Sequence, residues 1–268
     1  MSVPMITAAP LPENPRRGIQ LGLVLRILSI LLFFGIWELF GMRPTAYTMP
    51  TFTDTMVALF ELSIDGRLFV AFANTLEPLL IGVGFSAVVG VVMGVAMGLY
   101  REVQWGFEPL FVVMQAAPMV ALIPLVTFVW GISVTAKVVA VVVLAMPLIV
   151  LNAYRAVRNA NESLIQMCRS FQGNRLQEIA KVIIPDASPM IFAGLRLGFA
   201  AGFIGVILAE LLITPTGIGD LITYHRSQAE YAEMYAAIFS VIAFAAVSIS
   251  LLVRFEVTYF RPESKKGQ

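Results

Sequence analysis

The sequence predicts an all-α integral membrane protein with about six transmembrane helices. Of its 268 residues, 59% are hydrophobic and 13% are charged, whereas soluble domains are about half apolar and about a quarter charged. A helix needs about 20 apolar residues to cross a bilayer, where it satisfies its own backbone hydrogen bonds. Runs of this kind lie at 22–40, 76–99, 107–131, 135–152, 190–213 and 234–255.

The runs predict a single transmembrane domain over residues 21–260, between a polar tail at 1–20 and a charged tail at 261–268. The run that begins near Leu21 is too long for the core of a signal peptide, so we expect no cleaved leader. Between the first two runs, Pro50 and Gly66 bound a stretch with Met56, Val57, Leu59 and Phe60. This stretch favours a short helix at the membrane interface.

The lysines and arginines predict the orientation of the spans. With the N-terminus inside, the cytoplasmic segments hold thirteen of the 18 and the outer segments hold four, while Arg196 lies within the fifth run. Cytoplasmic loops carry the excess of positive charge in membrane proteins. We therefore expect both termini in the cytoplasm.

The inventory of reactive side chains is small. Cys168 is the only cysteine and His225 the only histidine, so a disulfide within the chain is excluded and a metal site is not expected. No carboxylate pair or Ser/His/Asp set suggests catalysis. The formal net charge of +1 gives no reason to expect a nucleic-acid partner. None of the four lysines lies in a G-x-x-x-x-G-K-[ST] sequence, so any ATP must be bound by another subunit.

Small residues recur at every fourth position in two of the runs. This spacing places them on one helical face, where another helix can approach closely. The face serves either static packing or sliding between helices, and both interpretations stay open at this point. The residues are Gly82, Ser86, Gly90, Gly94 and Gly98 in the second run, and Gly194, Gly198 and Gly202 in the fifth.

Residues 161–185, which we call the elbow, are too polar to span a membrane and too regular for a loop. They predict two short helices, the first with an apolar face that includes Ile165 and Cys168. Ser163 and Gln166 have the spacing of a capping box, and Gly173 is expected to end the first helix.

The second short helix of the elbow has its own signals. Asn174 is expected to cap it, with Gln177 in the reciprocal position. Pro185 is expected to stop it, because proline donates no backbone hydrogen bond and restricts the residue before it. A helix–turn–helix with one apolar face fits either a docking element or a hairpin resting on the membrane.

Four segments resemble the permease subunits of binding-protein-dependent ABC importers, in the branch for aliphatic sulfonates, taurine and nitrate. They are "QMCRSFQGNRLQEIAKVIIP" (166–185), "APMVALIPLVTFVWGIS" (117–133), "AGLRLGFAAGFIGVILAELL" (193–212) and "GIGDLI" (217–222). The resemblance covers the chain from about Pro50 onward. Two positions depart from the family signature, since Gln166 stands at its acidic position and Gln172 at its glycine position.

The resemblance implies a type I ABC importer permease fold in the bacterial inner membrane. The implied partners are two cytoplasmic ATPase subunits that carry ATP and Mg, an extracytoplasmic solute-binding protein, a second copy of the chain and the lipid bilayer. The implied solute is a small organic anion such as a sulfonate, or nitrate. The elbow becomes the element that couples to the ATPase, through Leu164, Gln166, Met167, Arg169, Ser170, Phe171, Gln172, Gly173, Arg175 and Pro185.

In this family the third span lines the translocation path. The residues implied here are Met114, Gln115, Pro118, Met119 and Pro124, together with Glu210 of the fifth span. Because proline kinks a helix, a kinked packing helix is the alternative. Glu210, near the outer end of the fifth span, either orders an outer gate or hydrogen-bonds a neighbouring loop.

Three other functions remain as alternatives on the sequence. A transporter driven by an ion gradient needs acidic or histidine relays inside the membrane, and apart from Glu210 the span centres lack them. A membrane enzyme lacks a reactive set of residues. A membrane scaffold would leave the elbow as a surface hairpin.

Overall fold

The computed structural model describes residues 15–43, 48–213 and 215–260, and this part of the chain is helical with no strand. Of the tails predicted at 1–20 and 261–268, residues 1–14 and 261–268 lie outside the described residues. The helices are α1 (Pro15–Gly41), α2 (Phe52–Ile64), α3 (Arg67–Leu99), α4 (Arg101–Ala116), α5 (Met119–Trp130), α6 (Val134–Arg158), α7 (Glu162–Ser170), α8 (Arg175–Glu178), α9 (Ile184–Leu212), α10 (Ile218–Ser227) and α11 (Tyr231–Phe260).

Five predicted spans correspond to α1, α3, α6, α9 and α11, which are long and apolar enough to cross a membrane. The predicted interfacial helix is α2, which Thr51 caps by accepting a hydrogen bond from the amide of Asp54. α1 begins at Pro15, so the helix extends into the segment predicted as a tail. α3 begins at Arg67, nine residues before the apolar run at 76–99. It follows directly on Gly66, which has a left-handed conformation (φ 74°).

The prediction of a single kinked helix for the third span is wrong, because two helices, α4 and α5, occupy this run. α4 and α5 meet at an angle of 104°. Ala117 and Pro118, which join them, have extended backbone with ψ of 130° and 104°. Proline disfavours the helical conformation of the residue before it and supplies no amide donor, so the helix ends there. Pro124 lies inside α5 and does not break it.

Pro185 does not stop the second helix of the elbow, contrary to the sequence prediction. A π-helical turn (Ile179–Ile183) follows α8 and leads directly into α9. The amide of Ile184 donates to the carbonyl oxygen of Ile179, five residues back. Local π adjustments of this kind let a membrane helix continue past a proline. Residues 175–212 therefore form one continuous helix of 38 residues.

The core of the chain is α6, which is packed between α3 and α9. Both ladders of small residues face it, and Val141 and Ile149 of α6 each lie against a glycine of either ladder. A Cβ added at Gly94 would lie 2.5 Å from the carbonyl oxygen of Val150, and one at Gly194 would lie 2.6 Å from the Cβ of Asn152. The absence of side chains at these positions lets both helices approach α6 at the distance of backbone contact.

Candidate functional site

The elbow lies at one end of the helical body, and α7 is its outer arm. Asn161 caps α7, because its side chain accepts a hydrogen bond from the amide of Ser163. The capping box predicted from Ser163 and Gln166 is therefore wrong, and the helix begins two residues earlier than that box requires. The amide of Asn161 also donates to Asp186 Oδ2 at 2.8 Å, which joins the start of α7 to the start of α9.

The turn after α7 has a left-handed residue, and that residue is Gln172 (φ 58°) rather than Gly173. The amide of Gly173 donates to Cys168 O and the amide of Gln172 to Arg169 O, both at 2.9 Å. This is the Schellman pattern of helix ends, in which the left-handed position is usually glycine. Gln172 thus occupies a position that favours glycine. Gly173 is needed for space, since a Cβ there would lie 2.5 Å from the Sγ of Cys168.

The second arm of the elbow begins with the capping box predicted from Asn174 and Gln177. The two arms are joined by an ion-pair cluster on Glu178, which is only 4% exposed. Arg169 donates to this carboxylate from Nε at 3.0 Å and from Nη2 at 3.1 Å. Arg175 contacts it through Nη1. The family resemblance assigns Arg169 and Arg175 to contact with the ATPase. In the structure both form ion pairs within the elbow.

The cluster on Glu178 lies twelve residues before the apolar run of its helix, which begins at residue 190, and this places it outside the membrane-spanning part. A helix of 38 residues is about 57 Å long, whereas the hydrocarbon core is about 30 Å thick. The hydrogen bond and charge of Glu178 raise the pKa of the Arg169 guanidinium. The hydrogen bond from Arg169, and then the charge of Arg175, lower the pKa of the Glu178 carboxyl below its ordinary value. Both groups are therefore fixed in their charged forms.

The elbow presents large apolar side chains to its surroundings. Phe171 is 81% exposed and Leu176 is 76% exposed, and Leu164 and Met167 are exposed beside them. Gln166 is exposed on the same arm, and the hydroxyl of Ser170 donates to its carbonyl oxygen. Exposed apolar clusters with a polar rim mark interaction surfaces. We call Leu164, Met167, Phe171 and Leu176 the elbow surface.

The other side of the elbow is anchored in the helical body. Ile165 and Ile179 pack against a buried cluster formed by Val157 of α6, Ile183 of the π-helical turn and Ala187 of α9. The elbow is thus packed against the ends of α6 and α9, on the side that does not carry the elbow surface.

The residues implied for the translocation path lie around the break between α4 and α5. Gln115, Pro118 and Pro124 are exposed, Met114 is half-buried, and Met119 is buried in a cluster with Ile123. An apolar cavity of about 630 Å³ lies against α5 and is lined by Pro124, Thr127, Phe128 and Leu212, with Val120 and Ile123. Non-helical backbone at membrane depth is tolerated where it lines a cavity or is covered by protein.

Glu210 does not face this cavity. Its carboxylate is fully enclosed and lies 2.9 Å from the Nζ of Lys137 on α6. It also accepts hydrogen bonds from the hydroxyl of Thr75 on α3 and from the amide of Gly219 at 3.1 Å. Lys137 donates further to Thr216, through its carbonyl oxygen at 2.9 Å and its hydroxyl at 3.0 Å. The network holds the loop after α9 against three helices, at the end opposite the elbow.

The sequence reading missed Lys137. It was counted among the residues of an outer segment, although it stands in the first turn of a run that is otherwise apolar. The sequence contained a signal for this pair. Lys137 is the lone lysine near the outer end of one span, and Glu210 is an acidic residue near the same end of another. The Nη1 of Arg196, the basic residue within the fifth run, lies 2.9 Å from the Oε2 of Glu256 of α11.

A family model of the binding-protein-dependent transport system inner membrane component matches residues 86–266. The chain belongs to this family. It is thus the permease subunit of an ABC importer, a class in which a separate subunit hydrolyses ATP. Nothing in these comparisons supports a transporter driven by an ion gradient.

Related permeases match along most of the chain. The putative aliphatic sulfonates transport permease of Bacillus subtilis is 26% identical over 238 residues, which cover 88% of this permease and 84% of the relative. The nitrate import permease of Leptolyngbya laminosa is 23% identical over 246 residues, covering 89% and 88%. The methionine ABC transporter MetNI in an inward-facing conformation has a similar fold, with a TM-score of 0.60 at 17% identity over 71% of this permease and 95% of that chain.

Proposed function

We propose that this permease carries a small organic anion such as a sulfonate, or nitrate, from an extracytoplasmic binding protein into a bacterial cytoplasm. In this proposal it works as a homodimer with two ATPase subunits that carry ATP and Mg. Both termini and the elbow face the cytoplasm, across the inner membrane. The names of the sulfonate and nitrate relatives support the solute class.

The elbow surface is the single observation that carries the mechanism. Four large apolar side chains are exposed on a segment that is stiffened by the Glu178 cluster and lies outside the hydrocarbon core. Burying such side chains against a partner removes each from water, which is worth about 1.5–3 kcal/mol per side chain. In our proposal the partner is the ATPase, and closure of two ATPases draws the two elbows of the dimer together.

The translocation path runs between two copies of the chain in this proposal. Gln115, Pro118 and Pro124 are exposed beside the break of α4 and α5, where lipid would leave backbone groups without hydrogen-bond partners. A second copy placed against α5 would enclose the cavity at Phe128 and Leu212. Met119 and Glu210 are buried, so we propose that they support this wall and do not touch the solute.

The experiment is co-purification of the tagged permease with the ATPase encoded beside it. Phe171→Asp places a charge in the elbow surface and is expected to abolish recovery of the ATPase, while the permease stays in the membrane fraction. Phe60→Asp serves as the matched control, since Phe60 is 67% exposed on α2, at the end opposite the elbow. Equal recovery of the ATPase with Phe171→Asp contradicts the assignment of the elbow.

A further inference from the structure

The end of the permease opposite the elbow is acidic. Residues 50–75 and 215–235 make up most of this end, with α2, the start of α3, α10 and the start of α11. The Lys137–Glu210 pair lies there too, as do Glu38 and Arg43 near the end of α1, and each of these two sets adds one charge of each sign. The charged groups of residues 50–75 and 215–235 are six carboxylates and two guanidinium groups, together with His225. The carboxylates are Asp54, Glu61, Asp65, Asp220, Glu230 and Glu233, and the arginines are Arg67 and Arg226.

A cavity of about 390 Å³ opens in this acidic end. Two of the carboxylates line it, Asp65 from the end of α2 and Asp220 from the first turn of α10. Within the described part of the chain, neither side chain has an ion-pair or hydrogen-bond partner. Both aspartates lie near the N-terminus of a helix, Asp220 in the first turn of α10 and Asp65 directly before Gly66, the N-cap of α3, and a negative charge is favourable there.

The arginine of the cavity is directed away from these acids. The Nη2 of Arg67 lies 3.3 Å from the Nε2 of His225, and its guanidinium carbon lies 5.9 Å from the centre of the Tyr224 ring. The Nδ1 of His225 lies 2.7 Å from Glu230. Arg67 therefore has other contacts, and the two aspartates give the cavity a negative character.

We propose that this cavity is a docking site for a basic side chain, lysine or arginine, of the solute-binding protein. The inference rests on the proposed function, because that function places this end outside the cell. The excess of carboxylates at this end favours a partner with a basic face. Complementary charges steer association and set its dependence on salt.

The wall of the cavity connects the docking site to the interior. Thr216 and Gly217 line the cavity, and Thr216 accepts two hydrogen bonds from Lys137. Gly217 lies directly over Glu210, since its φ is 100° and a Cβ there would overlap the carboxylate. A side chain seated in the cavity therefore touches the loop that the Lys137–Glu210 pair holds against α3, α6 and α9.

The test uses the complete importer in nanodiscs, with the binding protein encoded beside the permease as the probe. The double variant Asp65→Asn/Asp220→Asn is expected to weaken binding about tenfold at low ionic strength and to flatten its dependence on NaCl. Glu102→Gln is the matched control, because it removes one exposed carboxylate at the elbow end. Unchanged affinity and unchanged salt dependence of the double variant would overturn the proposal.

A second variant tests the cavity without changing its charge. Asn74 is exposed and lines the cavity, so Asn74→Cys in a Cys168→Ser background can be filled with a bulky neutral maleimide. Labelling is expected to block binding of the binding protein, while the ATPase still co-purifies with the labelled permease in equal amount. Full binding after complete labelling contradicts the docking site. A wild-type complex that assembles with the ATPase but binds no binding protein contradicts the proposed function itself.

Discussion

The Nζ of Lys137 lies 2.9 Å from the Oε1 of Glu210, and the two side chains are 2% and 0% exposed. The residues are separated by 73 positions in the sequence, and they come from two different spans. All three donors of the ammonium group have acceptors, one on Glu210 and two on Thr216. A charged pair enclosed in this way is stable only while both partners are present.

Lys137→Met is expected to destabilise the permease by about 3–5 kcal/mol, because it leaves the Glu210 carboxylate buried without its counter-charge. Lys137→Met/Glu210→Gln removes both charges and is expected to cost less than Lys137→Met alone. Thermal unfolding in detergent measures both. A loss in the double variant as large as that in Lys137→Met, or larger, would show that the two charges are not energetically coupled.

Glu178→Gln is expected to loosen the elbow, since it removes the negative charge on which Arg169 and Arg175 converge. Cys168, half-buried next to Gly173, then becomes more accessible. Maleimide labelling of Cys168 at neutral pH is expected to be several-fold faster than in the wild type. Cys168→Ser is the control for specificity of labelling. An unchanged labelling rate would mean that the cluster does not hold the turn.

The same cluster predicts a dependence on pH. The pKa of Glu178 is lower in the folded elbow than its ordinary value, so its stabilising contribution is present above the ordinary pKa. It is lost as the pH falls through the lowered value. The protection of the amides of residues 161–178 against hydrogen exchange, relative to the intrinsic exchange rate at each pH, is expected to fall only at acidic pH, and Glu178→Gln should remove this step. A step that persists in the variant would assign it to another group.

Gly94→Ala is expected to destabilise the pairing of α3 with α6 by about 1–3 kcal/mol, the usual cost of overpacking. The added carbon would lie 2.5 Å from a backbone carbonyl oxygen, which cannot move independently of α6. Gly84→Ala on the same helix is the control, because nothing lies within 4 Å of its position. Equal melting temperatures for the two variants would argue against close packing at Gly94.

Ser86 interrupts the glycine ladder of α3 with a hydroxyl that is fully buried and has no hydrogen-bond partner among the described residues. Ser86→Ala is expected to stabilise the permease by about 1 kcal/mol, since it removes a buried polar group without a partner. The measurement is again thermal unfolding. A lower melting temperature would show that the hydroxyl has a partner in the assembled importer.

Much of the helical framework could be predicted from the sequence, because it depends on local pattern. The capping box of Asn174 and Gln177 and the face of the glycine ladders follow from spacings of three and four residues. Pairs such as Lys137 and Glu210 could not be predicted in this way. Their contact depends on how α6 and α9 pack, and no periodicity within either helix encodes it.

The two prolines show the limit of local rules most clearly. Pro118 ends a helix and gives a bend of 104°, whereas Pro185 lies in a helix that continues through a π-helical turn. Both residues lack an amide donor. The difference lies in whether the neighbouring turns can supply another hydrogen-bond pattern, and one residue type does not reveal this.

The unbroken helix from Arg175 to Leu212 reaches from the elbow almost to the docking cavity. At about 1.5 Å per residue it is a rod of about 57 Å, and a tilt of about 10° around its midpoint would displace each end by about 5 Å. Its two ends would move in opposite directions. Events on the two faces of the membrane would then be synchronised by rigid rotation, without any signal passing from residue to residue.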